Sequence, residues 1–232
     1  MGFQRFHETW QEQLQNLVNK LENAPSPPTT DEENNQLYHL VQKFMSHVGD
    51  YNLVKSAVAQ QDVPLVMAAP WATAFERSLH WIGGWRPTTA FHIIHTKSTV
   101  LVESRIDNMI NGGGTCMTGG LSDLSADQFT DLSHLQCQTV HEEIGLSDQL
   151  SLWQDSASEI LLMKYEEADF EEKMKDLAVI LQKADELRLK TLREVVQLLT
   201  PQQAVEFLIS AFNLYSTVCD LGFNHERQHC AN

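Results

Sequence analysis

The chain has 232 residues, of which 42% are hydrophobic and 20% are charged, a composition typical of globular proteins and too apolar for intrinsic disorder. Sixteen Lys and Arg stand against 31 Asp and Glu, which gives a net charge of −15 at pH 7. Because nucleic acids and anionic membranes are bound largely through cationic side chains, this charge argues against direct DNA binding and against membrane docking.

The first part of the chain predicts two helices separated by prolines. Apolar residues recur at spacings of three and four from Phe3 to Leu21, so they lie on one face of a helix that must end before Pro25. Thr30 and Glu33 have the spacing of a capping box. They predict the start of a second helix, whose apolar face extends to about residue 51.

Prolines and glycines interrupt the middle of the chain. We expect short helices over about 63–69 and 73–82, followed by a break at two consecutive glycines. Pro87 suits the first position of a new helix, which extends to about Ile110. Residues 112–124 begin with three glycines and predict the one flexible loop.

Two further capping boxes predict helices in the second half. Ser125 with Gln128 opens a long helix that Gly145 bends without ending, another helix begins near Phe170, and the sequence 200–203 (TPQQ) opens the last one. No window shows the alternation of a strand, and no apolar run approaches the roughly 18 residues of a membrane span. The sequence therefore predicts an all-α fold, a single elongated bundle of about six to nine helices.

Near the C-terminus, His225-Glu226-Arg227-Gln228-His229 has the H-E-x-x-H pattern of zinc metalloproteases. A catalytic zinc needs a third protein ligand, which the sequence does not indicate, so we expect no metal site. The two histidines lie one helical turn apart, which also suits haem iron. The simplest interpretation is a polar, solvated end of the chain whose histidines bind nothing, and we assign residues 229–232 as its tail.

Trp71, Trp81 and Trp85 cluster with Arg86 in one short stretch of the chain. Aromatic clusters are core material first and binding hot spots second, so packing and partner binding are both open for these four residues. The sequence contains no nucleophile elbow, phosphate-binding loop or dinucleotide fingerprint, so we expect no catalytic residues. The four cysteines lack Cys-x-x-Cys spacing, which favours a reduced nuclear or cytoplasmic setting.

The segments 69–71 (APW) and 76–88 (ERSLHWIGGWRPT) resemble the Delay of Germination domain, which also forms the C-terminal half of plant TGA-type bZIP transcription factors. The opening segment 6–10 (FHETW) and the segment 199–204 (LTPQQA) resemble the same family. We therefore assign the domain to residues 3–228. TGA factors carry a basic region and a leucine zipper before this domain, whereas here the domain begins at residue 3.

This resemblance implies a non-enzymatic regulator of seed maturation, dormancy and abscisic-acid signalling in the nucleus and cytoplasm. Its implied partners are type 2C protein phosphatases or transcription regulators. The family resemblance also implies haem binding, for which His225 and His229 are the candidate ligands. A sensor of haem or of a small apolar ligand is therefore the alternative function, and homodimerisation remains open.

Overall fold

The structure is a computed structural model that describes residues 2–110, 119–162 and 167–230. Within these ranges the chain forms eight α-helices and one short 3₁₀ helix, and its sole β feature is a single bridge between Trp81 and Gly84. The predicted all-α bundle is therefore confirmed. The helices are α1 (Phe3–Glu22), α2 (Asp31–Ala59), α3 (Val63–Ala68), α4 (Ala74–Ser78), α5 (Thr89–Ile110), α6 (Ala126–Leu162), α7 (Glu167–Leu198) and α8 (Pro201–Cys230).

The start of α2 differs in detail from the predicted capping box. The Thr30 side chain accepts a hydrogen bond from the Glu33 amide, at 3.2 Å, as expected. The Glu33 carboxylate, however, accepts from the backbone and the hydroxyl of Thr29, at 2.6 and 2.8 Å. These hydrogen bonds hold the pKa of Glu33 below its usual value. The predicted cap residue was correct, and the predicted partner of the glutamate was wrong by one position.

Both later capping boxes are confirmed. The Ser125 hydroxyl accepts from the Gln128 amide at 3.1 Å, and the Gln128 side chain accepts from the Ser125 amide at 2.9 Å. The Thr200 hydroxyl accepts from the Gln203 amide at 3.3 Å, and the Gln203 side chain accepts in return at 3.0 Å. Each pair satisfies backbone donors that have no partner inside the helix.

Several predicted boundaries change in the structure. Helix α4 ends at Ser78 rather than near Ile82, because the backbone turns into the left-handed region at Ile82, where φ is 44°. Helix α5 begins at Thr89 rather than at Pro87, and α2 extends to Ala59, past the last residue of the predicted apolar face.

The predicted flexible loop at 112–124 is described only in its second part, since residues 111–118 lie outside the described residues. Leu121, in the 3₁₀ helix Leu121–Asp123, is 1% exposed. Its amide donates to the Glu206 carboxylate on α8, at 2.8 Å. This end of the segment is therefore part of the packed bundle.

The core consists of two groups of buried side chains. The larger group joins α1, α2, α5, α7 and α8 with the first turns of α6, and the smaller group joins the end of α2, α3, α6 and the first half of α7. Fully burying one Phe or Leu side chain stabilises the folded state by about 1.5–3 kcal/mol. The largest fully buried side chains include Phe91, Phe207, Leu132 and Leu181.

Helix α8 is the one helix in the described part of the chain whose length and mean hydropathy, 1.2 over 18 residues, would suit a membrane span. The expectation that no segment reaches that range is therefore wrong for this helix. Its buried side chains Phe207, Leu208 and Phe212 pack in the larger core group. One third of the apolar window, 33%, is buried inside the bundle.

Candidate functional site

The segment with the strongest family resemblance forms a loop, residues 79–88, between α4 and α5, which we call the tryptophan loop. Two consecutive residues at its tip, Ile82 and Gly83, have positive φ angles of 44° and 67°. A Cβ atom on Gly83 would lie 2.8 Å from Leu181 Cδ1 of α7. Glycine is needed at this position because it tolerates the left-handed conformation and leaves room for the neighbouring helix.

The buried side chain of Arg188 on α7 fixes this backbone. Its guanidinium donates to the carbonyl oxygens of Trp85 at 2.7 Å, Ile82 at 2.8 Å and Trp81. It also donates to Asp185 Oδ1 at 2.6 Å, and its Cζ lies 5.4 Å from the centroid of the Trp81 ring. One planar cation with several donors thereby pairs with loop carbonyl groups that lie outside any helix.

A second buried cation, Lys55 on α2, reaches the same place. Its ammonium donates to Asp185 Oδ1 and to the carbonyl oxygen of Gly83, both at 2.8 Å. Burial lowers the pKa of Lys55 to about 8, against the attraction of Asp185 and with added repulsion from Arg188. Burial also lowers the pKa of Arg188, and Asp185 opposes that shift. Two cations thus share one carboxylate, and loop carbonyls supply their remaining acceptors.

The far end of the tryptophan loop is bound to α6. Glu143, whose side chain is 0% exposed, accepts from the Thr88 amide at 2.7 Å, from Arg86 Nε at 2.7 Å and from the Thr88 hydroxyl at 3.3 Å. The indole nitrogen of Trp81 donates to the Ser147 hydroxyl at 3.0 Å. The loop is therefore held by α2, α6 and α7 at once.

The sequence analysis missed the charged residues that hold the loop, Lys55, Glu143, Asp185 and Arg188. A signal for three of them was present, because each continues the apolar stripe of its own helix. Lys55 lies four positions after Tyr51, Glu143 lies eleven positions after Leu132, and Arg188 lies seven positions after Leu181. A charge on the buried face of a helix requires a buried partner, so such interruptions predict a polar centre in the core.

The structure places the four candidate partner-binding residues differently. The Trp71 ring lies 4.4 Å from the Phe3 ring in a contact between α1 and the segment after α3, and Trp81 is half-buried against α6 and α7. These two side chains have the packing role that the sequence analysis left open. Trp85 is 36% exposed, and the side chain of Arg86 is 53% exposed. Trp85 and Arg86 are therefore the members of this set that a partner can reach.

The H-E-x-x-H segment lies on the last turns of α8. The helix continues through Cys230, two residues into the predicted tail at 229–232, and residues 231–232 lie outside the described residues. The rings of His225 and His229 are both exposed, and their centroids are 4.3 Å apart. The Glu226 carboxylate accepts a hydrogen bond from the Ala74 amide at 2.7 Å.

Glu226 therefore caps the first turn of α4, whose amides have no partner within the helix. The glutamate of a zinc protease must be free to activate a water molecule, and here it holds two helices together. In the described part of the chain, no group of three or more His, Cys, Asp or Glu side chains could hold a metal ion. The arrangement gives no support to the zinc-protease interpretation.

Helix α4 approaches α8 closely at Gly222, where a Cβ atom would clash with the Thr73 side chain. Thr73 and Glu76 form a capping box at the start of α4, with distances of 3.2 and 2.9 Å. Burial raises the pKa of the nearby Cys219 thiol to about 12, and the Glu76 carboxylate adds to this shift. The thiol therefore stays protonated near neutral pH.

A buried histidine, His7, joins α1 to this region. The side chain is 8% exposed, and its Nδ1 lies 3.2 Å from the Tyr51 hydroxyl on α2. Burial lowers the pKa of His7 to about 4, although Glu76 and Glu8 attract its charged form. His7 is therefore neutral in the folded protein near pH 7.

Comparison with known proteins supports the resemblance carried by the tryptophan loop. Residues 13–96 match the family model DOG1, described as seed dormancy control. Over this segment the chain is similar to the Delay of Germination family. The matched segment runs from α1 into α5, so it contains Lys55 and the whole tryptophan loop. Protein DOG1-like 2 of Arabidopsis thaliana is 28% identical over 202 residues, which cover 81% of this chain and 77% of that protein.

Other relatives extend over more of the chain. Protein DOG1-like 1 of Arabidopsis thaliana is 26% identical over 252 residues, covering 96% of this chain and 89% of that protein. Transcription factor TGA2 of Arabidopsis thaliana is 24% identical over 219 residues, covering 93% of this chain and 62% of the factor. The predicted resemblance to this family and to TGA factors is confirmed, and these relatives indicate a plant regulatory role.

Proposed function

We propose that this protein is a non-enzymatic regulator that acts through protein contacts, with Trp85 and Arg86 as its main partner-binding residues. The observation that carries the proposal is the exposure of both side chains on a loop whose backbone is fixed from three helices. Tryptophan and arginine are enriched among residues that dominate binding energy. A loop that is already fixed loses little conformational entropy when a partner binds.

The partner class follows from the family. A model described as seed dormancy control and relatives that are transcription factors support a role in seed maturation and dormancy. We place this proposed role in abscisic-acid signalling. The proposed partners are type 2C protein phosphatases or transcription regulators, in the nucleus and the cytoplasm. The net charge of −15 favours partners with basic surfaces and opposes direct contact with DNA.

The test measures the affinity of the purified protein for a type 2C phosphatase of the abscisic-acid pathway and, separately, for a TGA factor. Trp85→Ala removes the exposed indole and leaves the backbone carbonyl that Arg188 uses. We expect it to weaken binding at least about tenfold, as loss of a hot-spot side chain does.

The matched control is Lys190→Gln, which removes an exposed cation on α7 that pairs with Glu142. We expect this variant to bind as the wild type does. Equal affinity of Trp85→Ala and the wild type would contradict the assignment of the surface. Failure of both partners to bind the wild-type protein would contradict the proposed partner class.

The second candidate function is a sensor of haem or a small apolar ligand, and the exposure of His225 and His229, which leaves either imidazole accessible to haem iron, favours haem. Neutral imidazole nitrogens are common axial ligands of haem iron. Haemin titration of the wild type should give a Soret band that is lost when both histidines are replaced by alanine. A band that persists in the double variant would exclude this pair as ligands.

A further inference from the structure

A groove of about 620 Å³ runs between α2 and α7, and its lining on α2 extends from Gln42 to Ser56. At a rise of about 1.5 Å per residue, this stretch is roughly 21 Å long. The two helices are antiparallel, because Lys55 pairs with Asp185 while Gly49 lies opposite Arg193. The groove is therefore long enough for about four turns of a third helix.

The groove exposes apolar surface mainly at Leu53, which is 71% exposed, and at the half-buried Leu189. Met45 and Val196 also line the groove, but they are 7% and 9% exposed and belong to the larger core group. The width of the groove depends on Gly49, because a Cβ atom there would have a single neighbour within 4 Å, Arg193 Nη2 at 3.9 Å. A larger side chain at this position would fill the groove without entering the core.

Several polar side chains along the groove have no hydrogen-bond or ion-pair partner among the described residues. Asp50, Arg193, Gln42 and Gln197 make no side-chain hydrogen bond or ion pair with any residue in the described ranges. The Glu186 carboxylate accepts a hydrogen bond from a neighbouring glutamine on its own helix and faces no cation there. The edges thus carry two exposed carboxylates against one guanidinium, together with free amides. A partner with Lys or Arg beside an apolar ridge would complement this surface.

We propose that this groove binds an amphipathic helix of a protein partner. The apolar ridge of that helix packs on Leu53 and Leu189, and its basic side chains pair with Asp50 and Glu186. Binding of a helix in a groove between two helices is a common mode of peptide recognition. The inference rests on the proposed function as a protein-binding module and adds a second contact surface, formed by residues other than the exposed pair of the tryptophan loop.

The probe for the test is a fluorescein-labelled synthetic helix of about 16 residues, with leucines at spacings of three and four flanked by lysines. Its binding is measured by fluorescence anisotropy at low salt. We expect Gly49→Leu to weaken binding at least about tenfold by filling the groove. Charge reversal at both Asp50 and Glu186 should also weaken binding and reduce its salt dependence.

The matched control is Gly145→Leu on α6, because nothing lies within 4 Å of a Cβ atom at Gly145. This variant should bind the probe as the wild type does. Circular dichroism of both leucine variants checks that the helices remain intact.

Four results would overturn the inference. If Gly49→Leu and Gly145→Leu weaken probe binding equally, or if neither variant weakens it, the probe binds the acidic surface without using the groove. Failure of the wild type to bind the probe would remove the proposed occupant. A wild-type dimer that Gly49→Leu converts to a monomer, observed by sedimentation, would assign the groove to a second copy. Probe binding lost in Trp85→Ala but kept in Gly49→Leu would remove the groove and leave the proposed function standing.

Discussion

Replacement of Arg188 by methionine tests whether the tryptophan loop is held by buried charges. Methionine fills a similar volume and removes every donor of the guanidinium. The substitution does not leave Asp185 as an isolated charge, because Lys55 still lies 2.8 Å from its Oδ1. The main effect of the substitution is therefore the loss of hydrogen bonds to the loop carbonyl groups, whereas Asp185 keeps its ion pair with Lys55.

The expected decrease in the free energy of unfolding follows from the carbonyl groups that lose a hydrogen bond. Trp81 retains the hydrogen bond from the Gly84 amide, at 3.3 Å, whereas the carbonyls of Ile82 and Trp85 lose the donor that Arg188 supplies. Each buried acceptor without a partner costs about 1–3 kcal/mol. We expect the free energy of unfolding to fall by about 3–4 kcal/mol, a large share of the roughly 5–15 kcal/mol typical of a domain.

Equilibrium unfolding in urea, followed by far-ultraviolet circular dichroism, measures this loss. Lys190→Met is the matched control, because Lys190 lies on the same helix and forms an exposed ion pair with Glu142. Exposed pairs contribute about 0–1 kcal/mol. If Arg188→Met lowers the free energy of unfolding by no more than the control does, the buried contacts do not stabilise the loop and the reasoning is wrong.

Three further predictions concern the packing of α8 and two buried titratable groups. Gly222→Ala should lower the melting temperature, because its Cβ atom would clash with Thr73 and overpacking costs about 1–3 kcal/mol. Gly145→Ala should raise the melting temperature, because its Cβ atom meets nothing within 4 Å and alanine has a higher helix propensity than glycine. His7 stays neutral in the folded protein, whereas in the unfolded chain it takes up a proton below about pH 6.5. The free energy of unfolding should therefore fall as the pH is lowered from about 6.5 to 5. His7→Phe should make this fall smaller, as measured by urea unfolding at each pH. Iodoacetamide should modify the exposed Cys137 at least about tenfold faster than Cys219, as measured by peptide mass spectrometry; similar rates would contradict the burial of Cys219.

Helix starts could be predicted because they depend on residues three or four positions apart. Ser125 with Gln128, and Thr200 with Gln203, specify their caps through short side chains and adjacent amides. The same local reasoning was wrong where a carboxylate had a choice of donors, as at Glu33, which accepts from Thr29. It also placed the end of α4 too late, because contacts with Arg188 and Lys55 fix the turn that follows.

The candidate site was predicted in part. The resemblance identified the tryptophan loop, but nothing local distinguished the exposed Trp85 from Trp71 and Trp81. Likewise, the H-E-x-x-H pattern gave no indication that Glu226 caps another helix, since Ala74 lies 152 positions away in the chain. Side-chain roles of this kind depend on which surfaces meet.

The amino-acid sequence by itself determined the helices, most of their caps, the acidic surface and the resemblance to the Delay of Germination family. Hydrogen bonds within a helix and apolar periodicity act over a few residues, so these features can be read along the chain. Only the tertiary structure decided that Lys55 and Asp185, 130 positions apart, form one buried centre and that a groove remains between their helices. Burying these charges is favourable only when each one meets its partner, and packing of the whole bundle brings them together.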